Sequence, residues 1–247
     1  MSDAMEGNLN QIVEVIDLHK SYRLGKNNFV HALRGTSLSI KKGGMTAIMG
    51  PSGSGKSTLM HIIGLLDTLS KGEVWLAGNR IDNLPKKKLP KLRASKMGFI
   101  FQGFNLIPTL TALENVALAA EYKGLSRKES AKLARERLDV VGLGDRIRHR
   151  QSELSGGEQH RVAIARALVN KPDIVLGDEP TGDLDTETSR EIIQMMKEVN
   201  MTTGTTFVLV THDPEVADSC DHQIQMRDGS IVDDSASKID GSTKTLS

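Results

Sequence analysis

A single cysteine, Cys220, stands among 247 residues. One thiol cannot close an intramolecular disulfide, so a disulfide-stapled secreted scaffold is excluded and a reducing compartment fits. An excess of one charge is missing as well: 32 Lys and Arg face 31 Asp and Glu, a formal net charge of +1. No global positive field marks a nucleic-acid binder, and no acid excess marks a solvating tail. Long apolar runs are also absent. Stretches such as Phe207 to Val210 fall far short of the roughly 20 residues that a membrane helix needs. The opening residues, MSDAMEGNLNQ, hold neither a basic nor an apolar segment, so no secretory signal is expected. Hydrophobic residues make up 38% of the chain, and 23 glycines add to them. That suffices for a sizeable core and argues against global disorder. The expectation is a soluble, cytosolic protein.

Residues 1–11 and 233–247 are polar, small-residue segments expected to be flexible tails, leaving 12–232 as the folded unit. Within it, strands are expected at Ile12–Leu18, Val30–Ile40, Met45–Met49, Glu73–Ala77 and Gly98–Phe101. A helix pattern covers Lys56–Leu66, and the period turns helical again from Thr111 to Leu143. There Ser126 with Glu129 forms a possible capping box. A helix opening at Gly156–Gly157 and running to Val169 follows, then strands at Ile174–Gly177 and Phe207–Thr211 with helices around Ser189–Val199 and after Pro214. The economical arrangement is α/β: a parallel sheet flanked by helices and interrupted by a helical insertion around residues 103–158.

Gly50-Pro51-Ser52-Gly53-Ser54-Gly55-Lys56-Ser57 fits the G-x-x-x-x-G-K-[ST] pattern between an expected strand and an expected helix, followed by Thr58. Glycines let such a loop turn its N–H groups inward, and the helix N-terminus adds partial positive charge. Lys56 would reach the outer phosphates of a nucleoside triphosphate, and the Ser57 hydroxyl would ligate Mg²⁺. A second element, Ile174-Val175-Leu176-Gly177-Asp178-Glu179, ends an apolar strand in two carboxylates. Alone it reads equally well as an acidic turn. Beside the phosphate loop, Asp178 suits the metal and Glu179 suits an attacking water. His212 closes a third apolar strand; such histidines are most often structural, yet here three strand ends converge on the edge where open α/β sheets bind ligands.

Leu154-Ser155-Gly156-Gly157-Glu158 opens another helix, a second place where phosphate could dock. One mononucleotide does not need two such helix ends far apart in sequence. A dimer whose loops complete each other's sites is the economical solution.

With this turn and the Gln159–Leu168 stretch after it, the sequence resembles the ATP-binding subunit of ABC transporters over nearly all of residues 12–232. The resemblance implies a P-loop NTPase core with an antiparallel N-terminal β-subdomain and an inserted α-helical subdomain. It implies that Ser155, Gly156 and Gly157 contact the γ-phosphate held by the other protomer; Glu158 departs from the more common Gln. It also assigns Gln102 to the Q-loop, next to Mg²⁺ and the membrane partner, Asp185 to the D-loop and His212 to the switch histidine. Tyr22 takes the place of the aromatic residue that stacks on adenine. ATP and Mg²⁺, a homodimer formed on ATP binding, and an integral membrane permease on separate chains are the implied ligands and partners. The subunit would sit on the inner face of the cell membrane through that permease. A finer likeness, carried by His61–Asp67, Phe104–Val116 and Asp178–Asp185, is to ATPases of the macrolide-export, lipoprotein-release and antimicrobial-peptide-export type. A cell-division ATPase with a permease-like partner shares every motif. A nucleic-acid-associated ABC ATPase is disfavoured, because those often carry two cassettes or a long coiled-coil insertion.

Other features stay outside this scheme. The basic run Lys86, Lys87, Lys88, Lys91, Arg93 and Lys96 reads first as a solvated face, with anionic-lipid or partner contact as the alternative. Cys220 and His222 lack a second pair at ligand spacing, so a surface helix end is expected there. Phe104, Leu106, Ile107, Leu110 and Leu113 divide between subdomain core and a groove for a permease helix, in proportions that spacing does not give.

Overall fold

The computed structural model describes residues 10–25 and 28–236. Two strands open the chain, β1 (Gln11–Arg23) and β2 (Phe29–Lys41), paired antiparallel. After β3 (Met45–Met49) and α1 (Lys56–Ile63) come β4 (Lys71–Leu76) and β5 (Asn79–Arg80). These complete an antiparallel sheet in the order β2-β1-β4-β5. Next are α2 (Leu89–Lys96), β6 (Met97–Phe101), α3 (Ala112–Lys123), α4 (Arg127–Val140) and α5 (Gly156–Leu168). The chain returns through β7 (Ile174–Asp178), α6 (Thr186–Thr203), β8 (Thr206–Val210) and α7 (Pro214–Asp218) to a hairpin of β9 (His222–Arg227) and β10 (Ser230–Ala236). The second sheet runs β10-β9-β3-β8-β7-β6, parallel throughout except for the β9–β10 hairpin.

Residues Met45–Ile48, Ile174–Gly177 and Thr206–Val210 are all buried, as expected of parallel strands covered on both faces. Because alternate side chains point to opposite faces, these strands feed two cores. Ile48, Leu176, Val208 and Val210 pack with the first sheet and α1; Ala47, Val175, Phe207 and Leu209 pack with α3 to α6. The central sheet is therefore rigid where its carboxyl ends must hold chemistry.

The helical stretch expected from Thr111 to Leu143 is two helices. Gly124, at φ 106°, takes the left-handed conformation that ends α3, and Ser126 caps α4 with Glu129 in the expected capping box. Four elements lay outside the sequence expectations: β5, α2, β9 and β10. The basic run occupies a 3-10 turn, Lys86–Lys88, and α2, with none of its residues buried. β10 corrects the expected boundary at residue 232, since it carries backbone pairing through Ala236. Ladder hydrogen bonds with β9 hold these polar residues, which need no apolar burial to form an edge strand. The remainder of both expected tails, 1–9 and 237–247, lies outside the described residues. Cys220 also departs from expectation: it lies two residues past the end of α7 and is fully buried, and burial pushes its thiol up to about 12.

Candidate functional site

The phosphate loop leaves β3 and enters α1 as its sequence predicts. Gly50, Gly53 and Gly55 have φ of 146°, 78° and 100°, the region in which glycine lacks the steric cost of a Cβ. Loop and hairpin are tied together, as Gly229 N–H donates to Ser54 O at 3.0 Å. Lys56 is buried, and its Nζ donates to Gly50 O (2.7 Å) and Pro51 O (3.0 Å). Its charge therefore sits inside the curl of the loop. Ser54 is buried as well, its Oγ on the same side of Gly50 as Met226 O of β9. Lysine, inward-facing loop and helix end together fit a polyphosphate.

Ser57 Oγ donates to Asp178 Oδ1 at 3.2 Å, joining α1 to the end of β7. Burial raises the Asp178 carboxyl above its usual range, while Ser57 and the Lys56 charge pull against that shift. A hydroxyl and a carboxylate meeting beside a phosphate site are the hard oxygen donors that Mg²⁺ prefers. Glu179 follows in a left-handed conformation, φ 47°, with its N–H donating to Val210 O at 2.8 Å. A non-glycine residue held there costs energy that its surroundings must offset. The result turns the Glu179 carboxylate toward β8: Oε1 lies 2.9 Å from His212 Nδ1, and His212 N–H reaches Oε2 at 3.4 Å. The Glu179 side chain is 20% exposed against 74% for His212, so the carboxylate is held and the imidazole is open.

β6 brings Gln102 alongside, since Phe101 pairs with Asp178. Gln102 Nε2 donates to Asp183 Oδ1 at 3.0 Å. Tyr22 lies on β1, where its hydroxyl donates to Asp67 Oδ2 at 2.8 Å and the Lys20 ammonium sits 4.7 Å above the ring. Lys20 Nζ also donates to Asp67 Oδ1 at 2.8 Å and to Thr68 O. Burial is the largest influence on Tyr22, raising its phenol, with a hydrogen bond from Thr58 opposing it. Loop residues, Ser57, Asp178, Glu179, His212 and Gln102 are thus brought together at one sheet edge, with Thr58 linked to Tyr22.

The second anion-binding turn lies apart. Ser155 caps α5 in a capping box with Glu158, and Asp185 caps α6 by accepting from Thr188 N–H at 2.9 Å. A cleft of ≈ 550 Å³ is lined by Ser155, Gly156, Gly157, Asp183 and Asp185, and by no residue of the phosphate loop. Sequence spacing did not place the two turns side by side. It also gave no role to Lys20, Asp67 or Asp183. The last two lie within stretches that carry the family likeness, but what they do comes from distant partners, Asp67 binding Lys20 and Tyr22 and Asp183 binding Gln102.

Among the described residues, no helix is long and apolar enough to cross a membrane. Comparison with known proteins finds the ABC transporter family model over residues 33–182. The chain is 47% identical over 223 residues to an uncharacterised ABC transporter ATP-binding protein of Thermotoga maritima, covering 90% of this chain and 94% of that one. To the lipoprotein-releasing system ATP-binding protein LolD of Syntrophus aciditrophicus it is 45% identical, covering 90% and 99%. To the macrolide export ATP-binding/permease protein MacB of Rhodopirellula baltica it is 44% identical, but spans only 33% of that protein. Among solved structures, the dimeric ATP-binding cassette MJ0796 in a post-hydrolysis state with ADP and Pi superposes with a TM-score of 0.83 at 43% identity. That match covers 91% of this chain and 98% of the cassette. A family model spanning more than half of the residues, relatives matched nearly end to end and a shared fold agree: the chain belongs to the ABC transporter ATP-binding proteins and is an ATPase of that family.

Proposed function

We propose that this ATPase powers a separate membrane permease, two copies closing head to tail on ATP and parting after hydrolysis. One observation carries the catalytic half: four parallel strand ends deliver the phosphate loop, Asp178–Glu179, His212 and Gln102 to one edge. The backbone N–H groups of Gly50 to Gly55, with Ser52 and Ser54, cradle the β- and γ-phosphates, and Lys56 exchanges its loop carbonyls for phosphate oxygens. Tyr22 stacks on adenine, and Thr58 supports it. Ser57, Asp178 and Gln102 are the residues that would hold Mg²⁺, which when bound neutralises charge on the phosphates. Glu179 orients water for in-line attack and takes its proton, while His212 steadies that carboxylate and faces the γ-phosphate through its exposed ring. Ser155, Gly156 and Gly157 close over the γ-phosphate of the other protomer, with Asp185 beside them at the interface. Loss of that phosphate removes the bridge between the protomers.

The permease half is supported by a second surface. An apolar groove of ≈ 560 Å³ between α2, β6 and α3 is lined in part by Phe99, Phe101, Ile107, Leu118 and Tyr122. Leu118 is 43% exposed and Tyr122 68%, unusual for an apolar patch with nothing to cover it. Of the residues whose division the sequence left open, Ile107 faces this groove, while Leu106 is buried and Phe104 and Leu113 pack on the core. Phe101 directly precedes Gln102, so a permease helix here would press on the nucleotide site. The relatives named for macrolide export and lipoprotein release favour an amphipathic cargo, handled from the inner face of the membrane.

Two measurements test this. Hydrolysis per chain is expected to rise with protein concentration, because each site needs a second copy; a rate per chain that stays constant from about 10 nM to about 10 μM, a span that brackets ordinary association constants, overturns the pairing. Affinity purification of the tagged chain from native membranes is expected to bring down an integral membrane protein, and Leu118→Arg to lose it. Equal recovery with both forms overturns the groove assignment.

A further inference from the structure

In the proposed sandwich the Ser155–Glu158 turn meets a γ-phosphate, yet its fourth residue is a carboxylate. Glu158 Oε2 accepts from Ser155 N–H at 2.8 Å, and Ser155 Oγ accepts from Glu158 N–H at 3.2 Å. The serine hydroxyl therefore keeps its own proton to donate. The bond from Ser155 N–H is the chief influence holding the Glu158 carboxyl below its usual range, so it is ionised at neutral pH. Its surroundings add to the problem. Asp183, Asp185 and Glu191 line the same cleft, and the cation within it, Arg161, is tied to Glu191 at 2.9 Å. A triphosphate approaching this helix end meets an acidic rim.

Arg146 answers Glu158. It sits in a 3-10 turn, Gly144–Arg146, and its Nε lies 3.2 Å from Glu158 Oε1. Its Nη1 is 3.3 Å from His149 Nε2, which fixes the other end of the guanidinium. We infer that Arg146 is a positioning residue of the two-chain ATP site: it neutralises Glu158 and keeps that carboxylate turned back on Ser155, so the helix end stays attractive to the γ-phosphate on the other protomer. This rests on the sandwich reading. Partly exposed ion pairs contribute little to folding, so the consequence lies in dimer affinity. A closed two-fold dimer carries the pair twice, so about threefold lost per site becomes about tenfold in the dimer constant.

The test uses the full chain carrying Glu179→Gln, with ATP and Mg²⁺, by sedimentation velocity. Adding Arg146→Met is expected to weaken ATP-dependent dimerisation about tenfold near 0.1 M salt and clearly less at about 0.5 M. Adding Glu158→Gln instead, which retains an acceptor for Ser155 N–H, is expected to leave the dimer as tight or tighter. The two together are expected to return within about twofold of Glu158→Gln alone. Charge repair is the outcome that a merely structural arginine would not give. A double variant still tenfold down, or Glu158→Gln weakening the dimer as Arg146→Met does, overturns the inference. A Glu179→Gln parent that never dimerises with ATP overturns the sandwich and the inference with it. A parent that dimerises and is indifferent to Arg146→Met overturns the inference alone.

Discussion

Glu179→Gln is expected to lower ATP turnover by about 10³-fold, within the range for removing a positioned general base, while ATP still binds. The substitution is nearly isosteric, and the amide oxygen can still accept from His212 Nδ1, which lies 2.9 Å from Oε1 in the parent. The left-handed backbone at φ 47° and the N–H bond to Val210 O involve no side-chain atom beyond Cβ. What disappears is the capacity to take a proton from water. The phosphate loop, Ser57 and Asp178 are untouched, so nucleotide affinity is expected to stay within about threefold, since the lost group made no ground-state contact. A γ-phosphate that is not cleaved leaves the bridge between protomers in place, so the variant is expected to elute as a dimer with ATP and as a monomer with ADP. Phosphate release and size exclusion read the two halves separately. Turnover close to the parent would move the catalytic role to another group, and His212, with its ring open to solvent, would be the next to replace. Loss of ATP binding would instead mean that Glu179 holds the loop.

The parts of this site legible in the sequence were those whose residues carry local signals. Apolar runs ending in glycine or carboxylate located β3 and β7, because a strand buried on both faces has to be continuously apolar. The Ser126 cap was visible because a capping box spans four residues, whereas the same pattern at Ser155 and Glu158 was read only as a phosphate-docking turn. The Tyr22 cradle was not, since Lys20 and Asp67 belong to separate elements and meet only after the first sheet packs on α1. The Arg146–Glu158 pair escaped for the same reason. β10 was hidden because an edge strand gains its stability from backbone pairing, which polar side chains such as Asp233 and Asp234 do not advertise. The groove residues could not be apportioned because burial of Leu106 and exposure of Ile107 depend on neighbours from α2, β6 and α3. Local chemistry was readable; long-range neighbours were not.

Gly50→Ala is expected to destabilise the fold by about 3 kcal/mol or more, as strain at a special backbone position against a fixed neighbour does. For a chain of this size that lowers the melting temperature by about 6–12 °C. A Cβ at Gly50 would stand 2.1 Å from Met226 O and 2.8 Å from Ser54 Oγ. The carbonyl cannot withdraw cheaply, because β9 pairs with β3 through Met49 and Gln225, and the Met226 side chain is itself buried. Either the strand or the loop has to move, and loop movement misdirects the N–H groups that hold phosphate, so ADP affinity is expected to fall with stability. Gly53 is the control within the same loop. It shares a positive φ of 78°, but nothing lies within 4 Å of its would-be Cβ, so Gly53→Ala should cost only about 1 kcal/mol of backbone strain. Differential scanning calorimetry and ADP titration on the two variants separate conformation from collision. Equal melting and equal binding would mean that β9 yields at no cost, and that the hairpin does not clamp the phosphate loop.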